Sequence, residues 1–289
     1  MTNAKFGCQL PQERGDFEDL IEVANECENL GYDSVWAYDH LSPFWVGSRG
    51  SLECWTVLSA IAERTRKIMI GSLVTNVNLR NPALLAKMSS TVDNISDGRL
   101  ILGLGTGDRM SRHELLSNGF EFSNIEERVE RLRETIHILK AMWNEDEAFF
   151  DGNHYKLMGA LNYPKPRRRP GPPIWIGGKH PKILDVAAET ADGWNYWGLS
   201  KEELEKSSEY LSVRCSELKR AREEIIKSWS GPLTRLPCTG KNQSQTTPNM
   251  IEELRCQSDK ETKYFIASFG AQANLKNYEA FAEAVRNLS

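Results

Sequence analysis

Short apolar segments alternate with longer segments of helical periodicity, and this alternation restricts the fold of the chain more than any other feature. The apolar segments are nearly continuous runs rich in Val, Ile and Trp, which is typical of parallel strands covered on both sides. We predict eight strands, over residues 5–10, 33–40, 67–75, 99–106, 173–178, 192–198, 224–230 and 263–270. We predict helices after them, over residues 16–30, 53–64, 82–95, 125–143, 181–191, 201–222, 248–258 and 275–287. Eight such units predict an α/β protein of the (β/α)8 barrel type, known as a TIM barrel.

The alternation is interrupted twice. Residues 145–170 lie after the fourth helix and contain a hairpin signal at Asp151-Gly152, and the polar residues 231–248 follow the seventh strand. Barrel elements continue on both sides of each insertion, so neither reads as a linker between domains. We therefore expect residues 1–289 to form a single barrel domain.

Composition argues against several classes of partner. The chain has 36 basic and 40 acidic residues, a net charge of -4, and no basic stretch interleaved with aromatic residues, so we expect no nucleic acid partner. No apolar run approaches membrane-spanning length and the first ten residues lack the order of a signal peptide, so we expect a cytoplasmic protein without a membrane partner. The six cysteines are scattered without a C-x-x-C motif, which predicts free thiols and no metal site.

The segment RLILGLGTGDR, residues 99–109, places glycines at 103, 105 and 107. A dinucleotide-binding fingerprint has a different glycine spacing and belongs to the first strand of its fold, whereas three strand-helix units precede this segment. In a barrel the segment is the fourth strand, and its glycines either let a ligand approach the backbone or only relieve crowding inside the barrel.

All strands of a barrel open at their carboxyl ends into one shared mouth, so the polar residues at those ends belong together. They are Gln9, Asp39, His40, Ser72, Thr75, Asn76, Thr106, Asp108, Lys179, Asn195 and Ser268. His40 is the candidate for proton transfer, because imidazole titrates near neutral pH. The alternative is a histidine that only ties two loops together.

The fifth strand ends in Gly177 and Gly178, and Lys179 follows at the start of a helix. Exposed amides at a helix N-terminus together with a lysine favour an anion, such as a phosphate group. The alternative is a glycine turn with ordinary surface lysines.

Several segments, in this order along the chain, resemble the bacterial luciferase-like monooxygenase superfamily and, within it, the branch that uses the deazaflavin coenzyme F420. They are LGYDSVWAYDHL, LECWTVLSAIAERTRKIMIGSLVT, RNPALLAKMSSTVDNISDGRLILGLGTGD, FFDGNHYKL, PPIWIGG and AAETADGWN. The resemblance covers nearly the whole chain except residues from about 200 to 262. It implies a (β/α)8 barrel that binds F420, or alternatively FMN, in its mouth.

The resemblance also implies roles for individual residues. Asp39 and His40 match the pair beside the reactive edge of the cofactor ring, and Thr106 and Gly107 match a backbone contact to the cofactor. The glycine-lysine turn after the fifth strand matches the phosphate loop.

The end of the third strand carries a further expectation from the resemblance. Some F420 relatives have a cis peptide bond there, which forms a bulge that supports the ring. The matching bond in this chain is Ser72-Leu73, with an uncertainty of one residue. Ser72, Leu73 and Thr75 are therefore expected to contact the cofactor.

One position departs from the family pattern. In the sugar-phosphate dehydrogenases of the F420 branch a glutamate follows the Thr-Gly pair of the fourth strand, whereas this chain has Asp108. Asp108 is a candidate catalytic acid or base, or it pairs with Arg109 or Arg112. The shorter side chain argues against a transfer of sugar chemistry.

The resemblance implies an F420-dependent oxidoreductase that moves a hydride between the C5 carbon of the deazaflavin and a small organic substrate, with His40 as proton donor or acceptor. An FMN-dependent monooxygenase and a flavin-binding barrel without turnover are the alternatives. Four aromatic residues either cover the ring or pack in the core, namely Phe44, Trp45, Trp194 and Trp197. A homodimer is expected, because the family often forms dimers.

Overall fold

The structure is a computed structural model that describes residues 4–14, 16–43, 50–198, 200–233, 252, 254, 261–270 and 274–287. Its strands are β1 (Lys5–Gln9), β2 (Ser34–Ala37), β3 (Met69–Ser72), β4 (Thr75–Asn76), β5 (Leu100–Gly105), β6 (Ala148–Asp151), β7 (Lys156–Ala160), β8 (Ile174–Gly177), β9 (Gly193–Trp197), β10 (Ile226–Pro232) and β11 (Tyr264–Ser268). Its helices are α1 (Phe17–Asn29), α2 (Cys54–Arg64), α3 (Pro82–Ile95), α4 (Arg109–Ser117), α5 (Ile125–Asn144), α6 (Pro181–Thr190), α7 (Lys201–Glu217) and α8 (Leu275–Arg286).

Eight parallel strands close into a barrel, which confirms the predicted (β/α)8 fold. The hydrogen-bonded order is β3, β2, β1, β11, β10, β9, β8, β5, and β3 pairs with β5 to complete the ring. Each of the eight predicted strands is present within two residues of its predicted start. The third is broken, because residues 73 and 74 separate β3 from the short β4.

The helices follow the prediction less closely. Helix α4 was not predicted, because it has nine residues and buries only Ser111, Glu114 and Leu115. The predicted helix over 201–222 ends at Glu217, and a short 3-10 turn follows at Arg222–Glu224. Apart from residues 252 and 254, the predicted helix over 248–258 lies outside the described residues.

The first insertion forms the predicted hairpin. Strands β6 and β7 pair antiparallel, with Asp151 opposite Lys156. The Glu134 carboxylate of α5 accepts hydrogen bonds from the backbone N–H groups of Asn153 and Tyr155, at 2.7 and 3.0 Å, and so anchors the turn. Of the second insertion, residues 231 and 232 belong to β10 and residue 233 follows it. The rest of the insertion lies outside the described residues.

The interior of the barrel is filled by large side chains. Trp36 of β2 and Trp175 of β8 lie 5.1 Å apart between ring centroids, and Tyr264 of β11 stands edge-on to Trp175 at 5.2 Å. Since β2 and β8 are not neighbours in the sheet, their contact crosses the barrel interior. Ser34 Oγ accepts hydrogen bonds from Trp36 Nε1 and the Tyr264 hydroxyl, at 2.6 and 2.8 Å. This packed layer leaves the carboxyl ends of the strands as the place for a ligand.

Four of the six cysteines lie in the described part of the chain, and all four are buried free thiols, as predicted. Cys8 and Cys27 face each other across β1 and α1 with their sulfur atoms 3.2 Å apart. Cys238 and Cys256 lie outside the described residues.

Candidate active site

The chain between β3 and β4 bulges at the barrel mouth. The cis peptide bond expected there joins Leu73 and Val74, one residue after Ser72-Leu73 and within the expected margin. Leu73 N donates to the Ala37 carbonyl at 2.8 Å, and the buried Ser72 hydroxyl donates to the Gly103 carbonyl at 2.9 Å. The bulge is therefore held by both neighbouring strands, β2 and β5.

The glycines of β5 and β8 face this bulge. A Cβ atom at Gly103 would lie 2.0 Å from the Ser72 carbonyl oxygen, and one at Gly105 or Gly177 would lie 2.5 or 2.8 Å from a Val74 methyl group. The space beside these residues is thus filled by protein atoms. Of the two alternatives that the sequence left open, Gly103 and Gly105 therefore relieve crowding, here against the bulge.

Asp39, at the end of β2, is buried in an ion pair. Arg80 donates to both carboxylate oxygens, at 2.6 and 2.9 Å, and Asn76 N adds a third hydrogen bond at 3.0 Å. Burial raises the pKa of Asp39, and the hydrogen bonds from Arg80 oppose that shift. Arg80 also pairs with Glu53, the N-cap of α2, at 2.6 Å. Arg80 opens the segment RNPALLAKMSSTVDNISDGRLILGLGTGD, but no role was predicted for it because it lies in a loop before α3 and its partners come from distant parts of the chain.

His40 follows Asp39 and pairs with a glutamate that the sequence analysis also missed. His40 Nδ1 lies 2.8 Å from Oε2 of Glu114 on α4. The Glu114 carboxylate also accepts the backbone N–H groups of Leu41 and, at 2.7 Å, Ser42. Burial alone would lower the pKa of His40, but the hydrogen bond with Glu114 raises it above its ordinary value. Burial alone would raise the pKa of Glu114, but its hydrogen bond with His40 lowers it.

Asp108 serves as the N-cap of α4. Its Oδ1 accepts hydrogen bonds from the backbone N–H groups of Met110 and Ser111, at 3.0 and 2.9 Å, and from the Ser111 hydroxyl at 3.0 Å. Such a cap satisfies backbone donors that the helix leaves unpaired. The carboxylate is thus engaged by its own helix, and its catalytic role stays a prediction.

The exit of β5 is fixed by an arginine of α5. Gly107 has a φ of +72°, a left-handed conformation that favours glycine. Arg128 Nη1 donates to the carbonyl oxygens of Thr106 and Gly107, at 3.0 and 2.5 Å. Asn78 donates to the same Thr106 oxygen at 2.9 Å. The carbonyl groups of Thr106 and Gly107 are therefore held by side chains of the protein, and their contact with a cofactor stays a prediction.

The turn after β8 contains the two glycines and the lysine of the predicted anion site, whose role stays a prediction. Gly178 has a φ of +133°, its N–H donates to the Asn195 carbonyl at 3.2 Å, and its own carbonyl accepts Trp194 Nε1 at 2.8 Å. His180 caps α6, and Lys179 forms a half-exposed ion pair with Glu203 at 2.5 Å. The Gly178 amide and the Lys179 ammonium are thus both engaged by groups of the protein.

The four aromatic candidates separate in the structure. Trp194 is fully buried and belongs to the core, whereas Trp197 is 37 % exposed. Phe44 and Trp45 lie outside the described residues.

Two buried polar atoms at the strand ends make no hydrogen bond to the described residues. They are Oγ1 of Thr75, in β4, and Oε1 of Gln9, at the end of β1. A buried polar atom without a partner is costly, so each of these two atoms is a candidate for contact with a bound ligand or water.

The described part of the chain contains no group of three or more His, Cys, Asp or Glu that could hold a metal ion. None of its helices combines the length and the apolar character needed to cross a membrane.

Solved structures with the same fold are named for different activities. An F420-dependent secondary alcohol dehydrogenase in complex with an F420-acetone adduct superposes with a TM-score of 0.87 at 17% identity, with 99% of each chain covered. The coenzyme F420-dependent tetrahydromethanopterin reductase of Methanopyrus kandleri reaches 0.81 at 15% identity, with 99% of this chain and 100% of that chain covered. At these identities the likeness shows the fold alone.

Relatives in sequence are named F420-dependent glucose-6-phosphate dehydrogenases. The protein of Amycolatopsis mediterranei is 34% identical over 193 residues, 66% of this chain and 56% of its own length. That of Mycobacterium avium is 32% identical over 220 residues, 74% of this chain and 63% of its own length. The matched region thus spans little more than half the length of these relatives. The luciferase-like monooxygenase family matches residues 1–235, and the chain belongs to that family.

Proposed function

We propose that this chain is an F420-dependent oxidoreductase that transfers a hydride between the C5 carbon of the deazaflavin and a small organic substrate in the barrel mouth. The observation that carries the proposal is the pair of His40 and Glu114 at the end of β2, beside the buried Asp39 and above a packed floor. The names of the relatives and of the structural neighbours support F420 as the cofactor.

Different residues at the mouth would contact different parts of the cofactor. Thr75 and the bulge at Ser72 and Leu73 would lie against the ring, as would the rigid exit of β5. The turn at Gly178 and Lys179 would take the anionic side chain, because amides and an ammonium group both favour negative charge. When bound, F420 supplies two-electron hydride chemistry, and the protein supplies orientation and proton management.

His40 would manage the proton of the reaction. Oxidation of an alcohol carbon releases one proton together with the hydride, and the reverse reaction consumes one. An imidazole whose pKa lies above its ordinary value accepts such a proton and still returns it near neutral pH. The large side chains below exclude water from the underside of the site.

Titration of the purified protein with F420 and with FMN, followed by fluorescence quenching, tests the cofactor. Tight binding of FMN without measurable binding of F420 would favour the FMN-dependent monooxygenase and overturn the proposal. Thr75→Val keeps the side-chain shape but removes a hydroxyl that makes no hydrogen bond to the described residues, so it should weaken F420 binding about tenfold. Thr135→Val is the matched control, because the Thr135 hydroxyl is also buried without a hydrogen bond to the described residues but belongs to α5.

Turnover tests the role of His40. Glucose 6-phosphate and a secondary alcohol are the first substrates to assay, since relatives and structural neighbours are named for them. His40→Ala should lower the rate of hydride transfer more than it lowers F420 affinity. Unchanged turnover would remove His40 from its role. F420 binding without turnover of any alcohol or aldehyde would favour the flavin-binding barrel.

The assembly and location of the protein complete the proposal. We propose a homodimer in the cytoplasm, as the sequence led us to expect. Light scattering after size exclusion measures the mass in solution, and a mass near 33 kDa would identify a monomer and refute the dimer.

A further inference from the structure

Glu114 makes three contacts with the chain that follows β2. Its Oε2 lies 2.8 Å from His40 Nδ1, and its Oε1 accepts the backbone N–H groups of Leu41 and Ser42. The Glu114 side chain is 7% exposed and that of His40 is 24% exposed. A carboxylate with both oxygens engaged in this way cannot rotate, so it fixes the direction of the hydrogen bond that reaches the imidazole.

We propose that Glu114 is the positioning residue of His40, which it holds in the tautomer protonated at Nδ1, so that the proton of the reaction is exchanged at Nε2. The inference rests on the proposed function, in which His40 handles that proton.

The physical argument starts from the inventory of donors. An ionised carboxylate only accepts hydrogen bonds, so a neutral imidazole beside it must carry its proton on the facing nitrogen. The other nitrogen then has a lone pair for the incoming proton. Once His40 is protonated, the same carboxylate stabilises the positive charge across 2.8 Å. Glu114 thus serves both protonation states.

Other charged groups face His40 from each element packed around it. Asp39 precedes it on the end of β2 and is neutralised by Arg80. Asp108 acts on His40 through space, but its Oδ1 is committed to the first turn of α4. The Tyr38 ring lies 5.8 Å away between centroids. Glu114 contacts the imidazole directly, with its Oε2 2.8 Å from His40 Nδ1.

The test begins with the wild-type protein without cofactor. Nitrogen-15 NMR of labelled histidine distinguishes a protonated Nδ1 from an unprotonated one, and His40→Gln assigns the signal among the five histidines. Above the pKa of His40 we expect the Nδ1–H tautomer. Observation of the Nε2–H tautomer would overturn the inference without any variant of Glu114.

Glu114→Gln then reverses the hydrogen bond. The amide oxygen can still accept the Leu41 and Ser42 amides, but the amide nitrogen now donates to His40 Nδ1 and forces the proton onto Nε2. We expect the pKa of His40 to fall in the NMR titration and turnover with F420 to fall about a hundredfold, with F420 affinity changed less than threefold. In alcohol oxidation, where His40 acts as the base, the acidic limb of the pH-rate profile should move in the same direction as the titration.

Glu130→Gln is the matched control. Glu130 pairs with His154 Nε2 at 2.9 Å, on the hairpin side of α5 and outside the site. The variant replaces the carboxylate that faces His154 and should leave the titration of His40 and the turnover unchanged.

The outcomes separate the inference from the proposed function. A wild-type titration of His40 in Glu114→Gln would overturn the inference, whether or not F420 binds. The expected tautomer and titration, together with a failure to bind F420, would support the positioning role of Glu114 and refute the cofactor assignment alone.

Discussion

Replacement of Arg80 by methionine should destabilise the protein by about 3–5 kcal/mol, because it removes one partner of a buried ion pair. The Asp39 side chain is 2% exposed and that of Arg80 is 10% exposed, so water cannot take the place of the guanidinium. Asp39 would keep a single hydrogen bond, from Asn76 N. For a chain of 289 residues this loss corresponds to a fall in melting temperature of about 5–8 °C.

A double-mutant cycle separates the pair from its surroundings. Asp39→Asn should cost less than Arg80→Met, about 1–3 kcal/mol, because Arg80 keeps its contact with Glu53. The double variant should be more stable than Arg80→Met alone, since it no longer buries an uncompensated carboxylate. The destabilisation by Arg80→Met should also shrink as the pH falls, because burial raises the pKa of Asp39 and its protonation relieves the cost.

Urea unfolding of the four proteins measures the cycle, and Lys206→Met provides the control. Lys206 pairs with Glu202 at 2.8 Å, but both side chains are more than 70% exposed, so its loss should cost less than about 1 kcal/mol. If Arg80→Met costs no more than Lys206→Met, or if the two single changes simply add, the ion pair does not hold the end of β2 and the reasoning is refuted.

Three further predictions concern the same region and the core. Gly103→Ala should lower the free energy of unfolding by more than about 2 kcal/mol, the cost of an overpacked core. Gly270→Ala is the control and should be nearly neutral, because no atom of the described residues lies within 4 Å of the added Cβ. Chemical denaturation compares the two variants. The difference in unfolding free energy between wild type and Glu114→Gln should be largest between pH 4.5 and 6.5. The stabilisation is lost as the pH rises through the raised pKa of His40, which then loses its charge, and as the pH falls through the lowered pKa of Glu114, which then becomes protonated. A difference independent of pH would contradict this. The four buried thiols should react with a thiol reagent only after unfolding, and rapid labelling of all of them in the native protein would show that they are accessible.

The barrel could be predicted from the sequence because its strands are buried on both faces and therefore read as continuous apolar runs. The same pattern located the strand ends, and with them Asp39, His40 and the turn at Gly178. Helix α4 was not predicted, because a nine-residue helix with three buried residues gives almost no periodic signal. Glu114 was not predicted as a site residue either, since its role depends on where α4 lies against the chain after β2. Only the cap signal of Asp108, three residues before Ser111, could have indicated that a helix begins there.

The glycines of β5 also show what a local sequence pattern cannot predict. Two of the glycines, Gly103 and Gly105, lie on β5, and Gly177 lies on β8, which begins 69 residues after the end of β5. All three face the bulge and share one neighbour, Val74. A glycine row next to polar strand ends is expected both where a ligand approaches and where another part of the backbone does. The choice between the two depends on a long-range contact with residues 72–74, which no local pattern encodes. The glycines therefore act on the site indirectly: they leave room for the bulge beside β5 and β8, and the bulge leads into Thr75, whose buried hydroxyl makes no hydrogen bond to the described residues.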